Sequence, residues 1–279
     1  MCFSGEARMD DRSFRRLLDF LDLSWAGYRK VRKGVKKRVS RYMQQLDFRG
    51  MDELLLALDK NLELRRQAEL LMTVSISRFF RDRRLWQALE EHLLPEIILK
   101  KGEAVKVWSA GCACGEEVYS FKILWDTMKR RFGRLPELEL WATDMNPLYL
   151  EKAREGIYPA SSLKELPPER RSGYFSPRPE SSGAVSASLK EGISWRVHNL
   201  LAEAPPQRDF QIIFLRNNLL TYYKNEVKVP AFRRIIANLT PEGFLIIGSH
   251  EELPGTGNLV LFPHHPNIFQ KPIVSRESP

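Results

Sequence analysis

The side chains best suited to chemistry are carboxylates that follow two predicted strands. Gly111 and Gly115 come directly after an apolar run, Glu116 and Glu117 follow at a predicted helix start, and Asp144 ends the next apolar run. Glycines at such a turn let a ligand approach the backbone closely. A carboxylate at the end of the second strand can accept hydrogen bonds from a ribose diol. The glycine spacing does not match the dinucleotide-binding fingerprint, and no P-loop lysine is present.

These carboxylates favour a cationic nucleoside over a pyrophosphate. Glu116 and Glu117 bring negative charge to the position where nucleotide sites bring phosphate-binding groups. S-adenosylmethionine carries an ammonium and a sulfonium, and it therefore fits this pattern better than NAD does. A purely structural interpretation stays open at this point, because acidic residues also stabilise helix N-termini through the helix dipole.

The elements that must position these residues alternate between strands and helices from residue 104 onward. Five apolar runs predict strands, at 105–110, 138–143, 193–197, 210–215 and 244–248. Helical patterns separate them, and this alternation is typical of a parallel sheet with helices on both faces. Two further short strands are predicted at 259–262 and 267–270, at an antiparallel edge. Residues 159–192 are rich in proline, serine and glycine and are predicted to be an insertion.

The first 75 residues show only helical periodicity and predict a small helical bundle. We predict three parts in the chain: a helical domain at 1–75, a linker segment at 76–103 that contributes to the cofactor site, and a sheet domain at 104–279. The composition is 43% hydrophobic and 28% charged, which excludes intrinsic disorder for most of the length.

Basic residues concentrate in one stretch of the helical region. The chain carries a formal net charge of +9, and residues 29–49 contain nine basic residues against one acid, which accounts for eight of the nine charges. A stretch of this kind is usually a solvated helix face, but it can also dock an acidic protein surface. Nucleic acid is disfavoured as a partner, because only Tyr28 and Tyr42 interleave with the charges.

The cysteines indicate neither a metal nor a disulfide framework. Cys112 and Cys114 could supply two thiolates, but no further cysteine or histidine lies near them in the sequence to complete a zinc site. With Cys2 they make an odd count, which fits a reducing cytosol. The first residues do not resemble a signal peptide, and no segment predicts a membrane-spanning helix. We therefore expect a cytoplasmic protein that does not insert into membranes.

Short motifs along the chain occur in one characteristic order. They are SISRFFRD at 75–82, WSAGCACGEEVYS at 108–120, ATDMN at 142–146, AREGIY at 153–158, NLL at 199–201 and FLRN at 214–217. In this order they resemble the chemotaxis receptor methyltransferases, the CheR family, over nearly the whole chain. The resemblance implies an α/β fold of the class I S-adenosylmethionine-dependent methyltransferases, Rossmann-like with a mostly parallel sheet, preceded by a small all-α domain.

The same resemblance implies an activity and a set of site residues. Members transfer the methyl group of S-adenosylmethionine to glutamate side chains of membrane chemoreceptors and release S-adenosylhomocysteine. The implied cofactor-binding positions, with the glycine of the first loop, are Ser75, Ser77, Arg81, Gly111, Glu116, Glu117, Asp144, Asn199, Leu200, Arg216 and Asn217. Whether Glu116 or Glu117 meets the methionine end stays open.

Two groups of basic residues are expected to meet the substrate. Arg81 and Arg216 suit the orientation of an incoming carboxylate through charge-assisted hydrogen bonds. The basic helix is expected to dock an acidic helical region of a chemoreceptor through Lys36, Lys37, Arg38 and Arg41. A carboxylate acceptor needs no general base, so positioning and exclusion of water are the protein's main tasks.

The sequence departs from the family pattern at several positions. Ser75 stands where the family usually has asparagine, and Thr221 stands where it has tyrosine, with Tyr222 and Tyr223 one and two places late. The run GSHEE at 248–252 also differs from the usual order. Two alternatives therefore stay open: a methyltransferase of the same fold with another acceptor, and a catalytically weak regulator that binds the cofactor.

Overall fold

The structure is a computed structural model that describes residues 9–100, 102–179, 182–255 and 258–273. The chain divides into two compact units. One contains Met1–Val74 and Thr221–Lys228, and the other contains Ser75–Leu220 and Val229–Pro279. The domain limits expected from sequence stay a prediction. No sequence pattern indicates that Thr221–Lys228 belongs with the helical unit.

The first unit is a bundle of short amphipathic helices. They are α1 Asp11–Phe20, α2 Trp25–Tyr28, α3 Arg32–Gln45, α4 Met51–Lys60 and α5 Leu62–Met72. Side-chain caps fix two of the starts, because Asp10 accepts a hydrogen bond from the backbone of Ser13 and Asn61 accepts two from the first turn of α5. The apolar stripe of each helix lies in a common core that includes Phe14, Val39 and Leu58.

The second unit contains a long seven-stranded sheet and a small three-stranded one. The strands are β1 Ala104–Ala110, β2 Glu137–Asp144, β3 Ile157–Tyr158, β4 Phe175–Arg178, β5 Ser182–Val185, β6 Ile193–Val197, β7 Phe210–Leu215, β8 Leu239–Ile247, β9 Val260–Leu261 and β10 Ile268–Gln270. The long sheet has the order β6-β2-β1-β7-β8-β10-β9. Its first five strands are parallel, and β10 and β9 close it with antiparallel pairings.

Helices precede β1 and connect the later strands along the chain. They are α6 Arg83–Ala88, a π-helical turn Leu89–Leu93, α7 Leu94–Leu99, α8 Glu116–Phe132, α9 Pro147–Glu155, α10 Ala160–Leu163, α11 Pro168–Tyr174, α12 Ala187–Lys190, α13 Leu219–Tyr222 and α14 Asn225–Ala237. The central strands β1, β7 and β8 are buried over most of their length, as expected for parallel strands covered on both faces, whereas the outer strands β6 and β9 are largely exposed. The predicted fold class is confirmed.

The order of the parallel strands reverses between β1 and β7. From β1 the chain adds β2 and then β6 on one side of β1. It then returns to the other side of β1 and adds β7 and β8 there. A crevice forms at the carboxyl edge of a sheet at such a point, and ligands of open α/β sheets bind there. The residues that follow β1, β2, β6 and β7 therefore meet at one edge.

The predicted insertion contributes two strands, β4 and β5, to the small antiparallel sheet, and the third strand, β3, lies directly before it. In this sheet β5 pairs with both β3 and β4, and Tyr158 lies opposite Gly183. Leu163 and Phe175 from this region are buried in the core of the second unit. The insertion is therefore a structured part of this unit and not a loose surface loop.

Candidate functional site

The loop from β1 to α8 has an unusual backbone. Three of its residues have left-handed conformations, Gly111 with φ 83°, Ala113 with φ 48° and Gly115 with φ 88°. The backbone amides of Gly111 and Cys112 both donate to the carbonyl of Thr143, at 2.8 and 2.9 Å. These bonds tie the loop to the end of β2, beside Asp144.

Asp144 holds this loop through its side chain. Its Oδ2 accepts a hydrogen bond from the backbone amide of Ala113, and its Oδ1 accepts one from Asn146, both at 2.9 Å. The backbone amide of Met145 also acts on this carboxylate. Because its two oxygens offer about four lone-pair sites, the group can still accept a hydrogen bond from a diol. Burial raises the pKa of Asp144 to about 6, against the opposing effect of these backbone amides.

The structure separates the two glutamates that sequence could not. Glu117 is fully engaged, because it accepts hydrogen bonds from Ser109 at 2.8 Å and from Arg216 at 2.9 Å. Glu116 is only 4% exposed, and its Oε2 has no hydrogen-bond partner among the residues that the structure describes. Burial raises the pKa of Glu116, and the hydroxyls of Ser77 and Ser162 act in the opposite direction.

An unpartnered buried carboxylate oxygen is costly unless a ligand satisfies it. A ligand group with positive charge and N–H donors meets that need at Glu116, and the diol of a ribose meets the acceptor lone pairs of Asp144. The residues present therefore fit an aminoacyl nucleoside cofactor such as S-adenosylmethionine. Among the described residues, no group of three or more histidine, cysteine or acidic side chains is arranged to hold a metal ion.

Arg216 lies at the reversal of the strand order, directly after β7. Its side chain is 5% exposed, and its two terminal nitrogens bind Asp82 and Glu117. The guanidinium thus joins the segment before α6 to the start of α8. Two carboxylates around one guanidinium leave this cluster with one net negative charge.

Glu251 is a buried carboxylate beside the site that the sequence analysis did not single out. Its Oε2 accepts hydrogen bonds from the backbone amides of Asn217 and Gly248, at 2.8 and 2.7 Å. It thereby fixes the left-handed backbone of Asn217, with φ 55°, next to Arg216. The run 248–252 after a buried strand contained the signal, but it registered only as a departure from a family pattern.

The segment before α6 forms another wall beside the same edge. Arg81 donates to the carbonyl of Ile76 at 2.9 Å and, over a longer 3.4 Å, to the side chain of Asn217. The amide of Phe79 donates to Ser162, and the amide of Phe80 donates to Ser120 in α8. Ser75 and Ser77, earlier in the segment, are both half-buried, and the hydroxyl of Ser77 contacts Glu116.

Asn199 and Leu200 follow β6 at the same edge. The side chain of Asn199 accepts a hydrogen bond from the amide of Leu201 at 2.9 Å, and the carbonyl of Leu200 accepts one from Arg234 at 2.8 Å. This turn is therefore well defined before any ligand arrives. Next to it, burial lowers the pKa of His198, which favours the neutral form of its ring.

The four residues predicted to dock a receptor lie in the helical unit and differ in their contacts. Lys36 binds Asp11 at 2.9 Å, and Arg38 donates to two backbone carbonyls at the end of α5. Lys37 and Arg41 are exposed. Only part of the predicted set is thus available to a partner.

The two tyrosines that follow Thr221 in the sequence pack within the helical unit. The ring centroid of Tyr222 lies 4.9 Å from that of Tyr28, and Tyr223 forms an isolated antiparallel bridge with Leu23. Both side chains pack against the core of that unit. Their rings are committed to this packing, so neither supplies the tyrosine that Thr221 replaces in the family motif.

The raised pKa of Asp144 predicts a pH dependence of ligand binding. Its folded-state pKa of about 6 lies above the ordinary 3.8, so this group's contribution to stability falls as the pH rises from about 4 to about 6. Ionised Asp144 is the better acceptor for a diol, so affinity for S-adenosylhomocysteine should rise with pH below about 6, by at most about tenfold per pH unit, and level off above it. Calorimetry between pH 5 and pH 8 measures this slope. Asp144→Asn should bind more weakly with a flatter profile, and an unchanged slope would refute the assignment to Asp144.

The fold and this site together define an S-adenosylmethionine-dependent methyltransferase. Comparison with known families agrees: the model for the CheR methyltransferase, SAM binding domain, matches residues 75–264. The chain belongs to the CheR methyltransferase family, as the sequence motifs predict, and S-adenosylmethionine is its cofactor.

Relatives match over most of the chain. It is 31% identical over 242 residues to a chemotaxis protein methyltransferase of Vibrio parahaemolyticus, covering 85% of this chain and 87% of the relative. It is 30% identical over 227 residues to chemotaxis protein methyltransferase Cher2 of Pseudomonas putida, covering 79% and 82%. A solved structure of a putative sarcosine dimethylglycine methyltransferase from Galdieria sulphuraria aligns at 14% identity with a TM-score of 0.35, covering 59% of this chain and 45% of that one. In the described part of the chain, no helix has the length and apolar character needed to cross a membrane.

Proposed function

We propose that this chain transfers the methyl group of S-adenosylmethionine to glutamate carboxylates on cytoplasmic helices of chemoreceptors, and that it acts in the cytoplasm. The observation that carries the choice of a carboxylate acceptor is Arg81. Its guanidinium has five N–H donors, and within the described residues it makes two hydrogen bonds, one of them long. It therefore keeps donors for an incoming carboxylate, at the edge where the other site residues meet.

The cofactor supplies a methyl group on a positively charged sulfur, which is already a good leaving group. Glu116 supplies the negative charge and unpartnered oxygen that would hold the ammonium end, and Asp144 would hold the ribose. Asn199 and Leu200 would border the adenine, and Ser75 and Ser77 belong to the wall on the other side. An ionised glutamate needs no general base, so the protein's contribution is alignment and exclusion of water.

The contacts of the two arginines support different roles for them. Arg216 is buried and binds two carboxylates of the protein itself. It serves best as a positioning residue that fixes Asp82 and Glu117, while Arg81 orients the acceptor. A tight clamp on the acceptor would reduce its nucleophilicity, so the loosely held Arg81 suits the task better.

Docking of the receptor is assigned to one face of α3. Lys33, Lys37 and Arg41 are spaced four residues apart and are therefore neighbours on the same side of the helix, and all three are exposed. We define these three residues as the α3 stripe. Complementary charge would draw it to an acidic helical surface.

Reversing the charge of the α3 stripe should weaken docking without affecting the chemistry. We expect Lys37→Glu with Arg41→Glu to raise KM for a receptor cytoplasmic fragment about tenfold or more at low salt, with kcat unchanged. The difference should shrink as salt screens the charges. Lys60→Glu with Arg66→Glu makes the same charge change at exposed positions of α4 and α5 and is the matched control. Equal effects of the two pairs would mean that only net charge matters.

A tritiated-methyl assay on receptor cytoplasmic fragments tests the proposed reaction. Base-labile label on the fragment is expected, because a carboxyl methyl ester hydrolyses in base. Label that survives base would indicate another acceptor. Tight binding of S-adenosylhomocysteine without any label on the fragment would indicate a catalytically weak regulator that binds the cofactor. Both alternatives gain some support from Thr221, since Tyr222 and Tyr223 pack elsewhere.

A further inference from the structure

Tyr158 connects the small antiparallel sheet to the cofactor loop. It lies on β3, is 3% exposed, and donates a hydrogen bond from its hydroxyl to the carbonyl of Cys114 at 2.6 Å. The acceptor lies in the middle of the left-handed part of the loop, between Ala113 and Gly115. One buried side chain of the small sheet thus contacts the backbone that a cofactor would approach.

The loop needs such a contact because its backbone is strained. Ala113 has a side chain and still adopts φ 48°, a conformation that disfavours residues with a Cβ. Asp144 holds the amide of Ala113 from one side, and Tyr158 holds the next carbonyl from the other. The strained conformation therefore depends on bonds to two different elements.

The fit between Tyr158 and the loop is close. A Cβ added at Gly115 would lie 3.2 Å from the Tyr158 hydroxyl and 2.9 Å from Ala153. Burial raises the pKa of Tyr158 well above its ordinary value, so the hydroxyl stays protonated and can donate at every working pH. The small residue at 115 leaves the space that the hydroxyl needs.

The ring of Tyr158 also contacts the segment before α6. Its centroid lies 4.9 Å from that of Phe79 in an edge-to-face arrangement. Phe79 packs in the same way on Phe175 of β4, at 5.0 Å, and its amide donates to Ser162. Tyr158 therefore contacts two walls of the cofactor site, the glycine loop and the Ser75–Arg81 segment.

We infer that Tyr158 is a positioning residue that keeps the loop 111–115 in the conformation that binds S-adenosylmethionine. Without its hydroxyl, the Cys114 carbonyl loses its bond and the strained loop samples other conformations. The apparent affinity for the cofactor is then the intrinsic affinity multiplied by the fraction of molecules in which the loop has its binding conformation. This inference rests on the part of the proposed function that concerns cofactor binding. It does not depend on which acceptor is methylated, so a measurement of cofactor binding alone tests it.

The experiment compares two buried tyrosines by calorimetry with S-adenosylhomocysteine. Tyr158→Phe removes one hydroxyl and keeps the ring, and we expect Kd to rise about three- to tenfold, a range consistent with the loss of one hydrogen bond. Tyr119→Phe is the matched control, because Tyr119 is equally buried and donates to the carbonyl of Ala153 at 2.8 Å. It should lower the thermal midpoint by a similar amount and leave Kd unchanged.

Two outcomes would overturn the inference. One is an unchanged Kd in Tyr158→Phe together with a lowered midpoint, which would make the hydroxyl purely structural. The other is an equal rise of Kd in both variants, which would reflect general loosening. If the unchanged protein binds S-adenosylhomocysteine normally but does not methylate the receptor fragment, the proposed acceptor is wrong. That result does not affect the role of Tyr158, so failure of the proposed function and failure of this inference can be distinguished.

Discussion

Arg216→Ala is expected to abolish methyl transfer and to lower the free energy of unfolding by about 3–5 kcal/mol, the usual cost of removing one partner from a buried ion pair. The guanidinium is 5% exposed and binds both Asp82 and Glu117. Its removal leaves these two carboxylates, 29% and 14% exposed, close together without the cation between them. We expect S-adenosylhomocysteine affinity to fall as well, because Glu117 adjoins Glu116 at the start of α8. Urea unfolding and calorimetry measure the two effects.

Charge compensation distinguishes this explanation from simple loss of packing. Arg216→Met in a background of Asp82→Asn and Glu117→Gln should cost much less stability than Arg216→Ala, since no uncompensated charge is left buried. Arg83→Ala is the surface control: Arg83 binds Glu165 at 3.0 Å with 70% of its side chain exposed, and such pairs are worth about 0–1 kcal/mol. Equal stability losses in the compensated and uncompensated backgrounds would show that the buried charges do not matter.

Gly111→Ala is the second change with a large expected effect. An added Cβ would lie 2.0 Å from Nδ2 of Asn218, on a backbone with φ 83°. Asn218 cannot move away cheaply, because it donates to the carbonyl of Ala110 and accepts from the amide of Leu219. Strain and overpacking together should lower the free energy of unfolding by about 2–4 kcal/mol. Affinity for S-adenosylhomocysteine should fall at least about tenfold, a difference of about 1.4 kcal/mol.

A second glycine distinguishes the effect of backbone strain from the effect of the clash with Asn218. Gly192 has φ 68°, and among the described residues nothing beyond its own chain neighbours lies within 4 Å of a Cβ added there, so Gly192→Ala adds backbone strain without a clash. It should cost about 1 kcal/mol and leave binding unchanged. If Asn218→Ala restores binding to Gly111→Ala, the clash is the main cause. Normal binding in Gly111→Ala alone would contradict the close packing of the loop.

Sequence patterns predicted the features that repeat along the chain. Apolar-rich runs located the five parallel strands, most clearly β7 and the second half of β8, because strands covered on both faces leave continuous hydrophobic stretches. The carboxyl-edge rule then brought Asp144, Arg216 and the glycine loop to one edge. Motif order identified the family, since several short matches in one order are far more specific than any single match.

Long-range polar contacts were not predictable in this way. The Asp82 to Arg216 bond joins residues 134 positions apart, and nothing in either local pattern indicates the partner. The distinction between Glu116 and Glu117 follows from the direction of one helical turn, which places one carboxylate against Arg216 and leaves the other unpartnered among the described residues. Glu251 binds backbone amides, so the acidic run after the strand marks its place in the sequence but not its partners.

The return of Thr221–Lys228 to the helical unit makes the chain cross between the two units more than once. Within the helical unit the amide of Ser24 donates to the carbonyl of Tyr222 at 2.7 Å, and Lys224 binds Asp19 at 2.8 Å. A protease cut between residues 74 and 75 would therefore not release the first seventy-four residues as an independent piece. They would remain associated with the larger fragment through its own 221–228 segment, and deleting them would strip Tyr222 of the ring on which it packs.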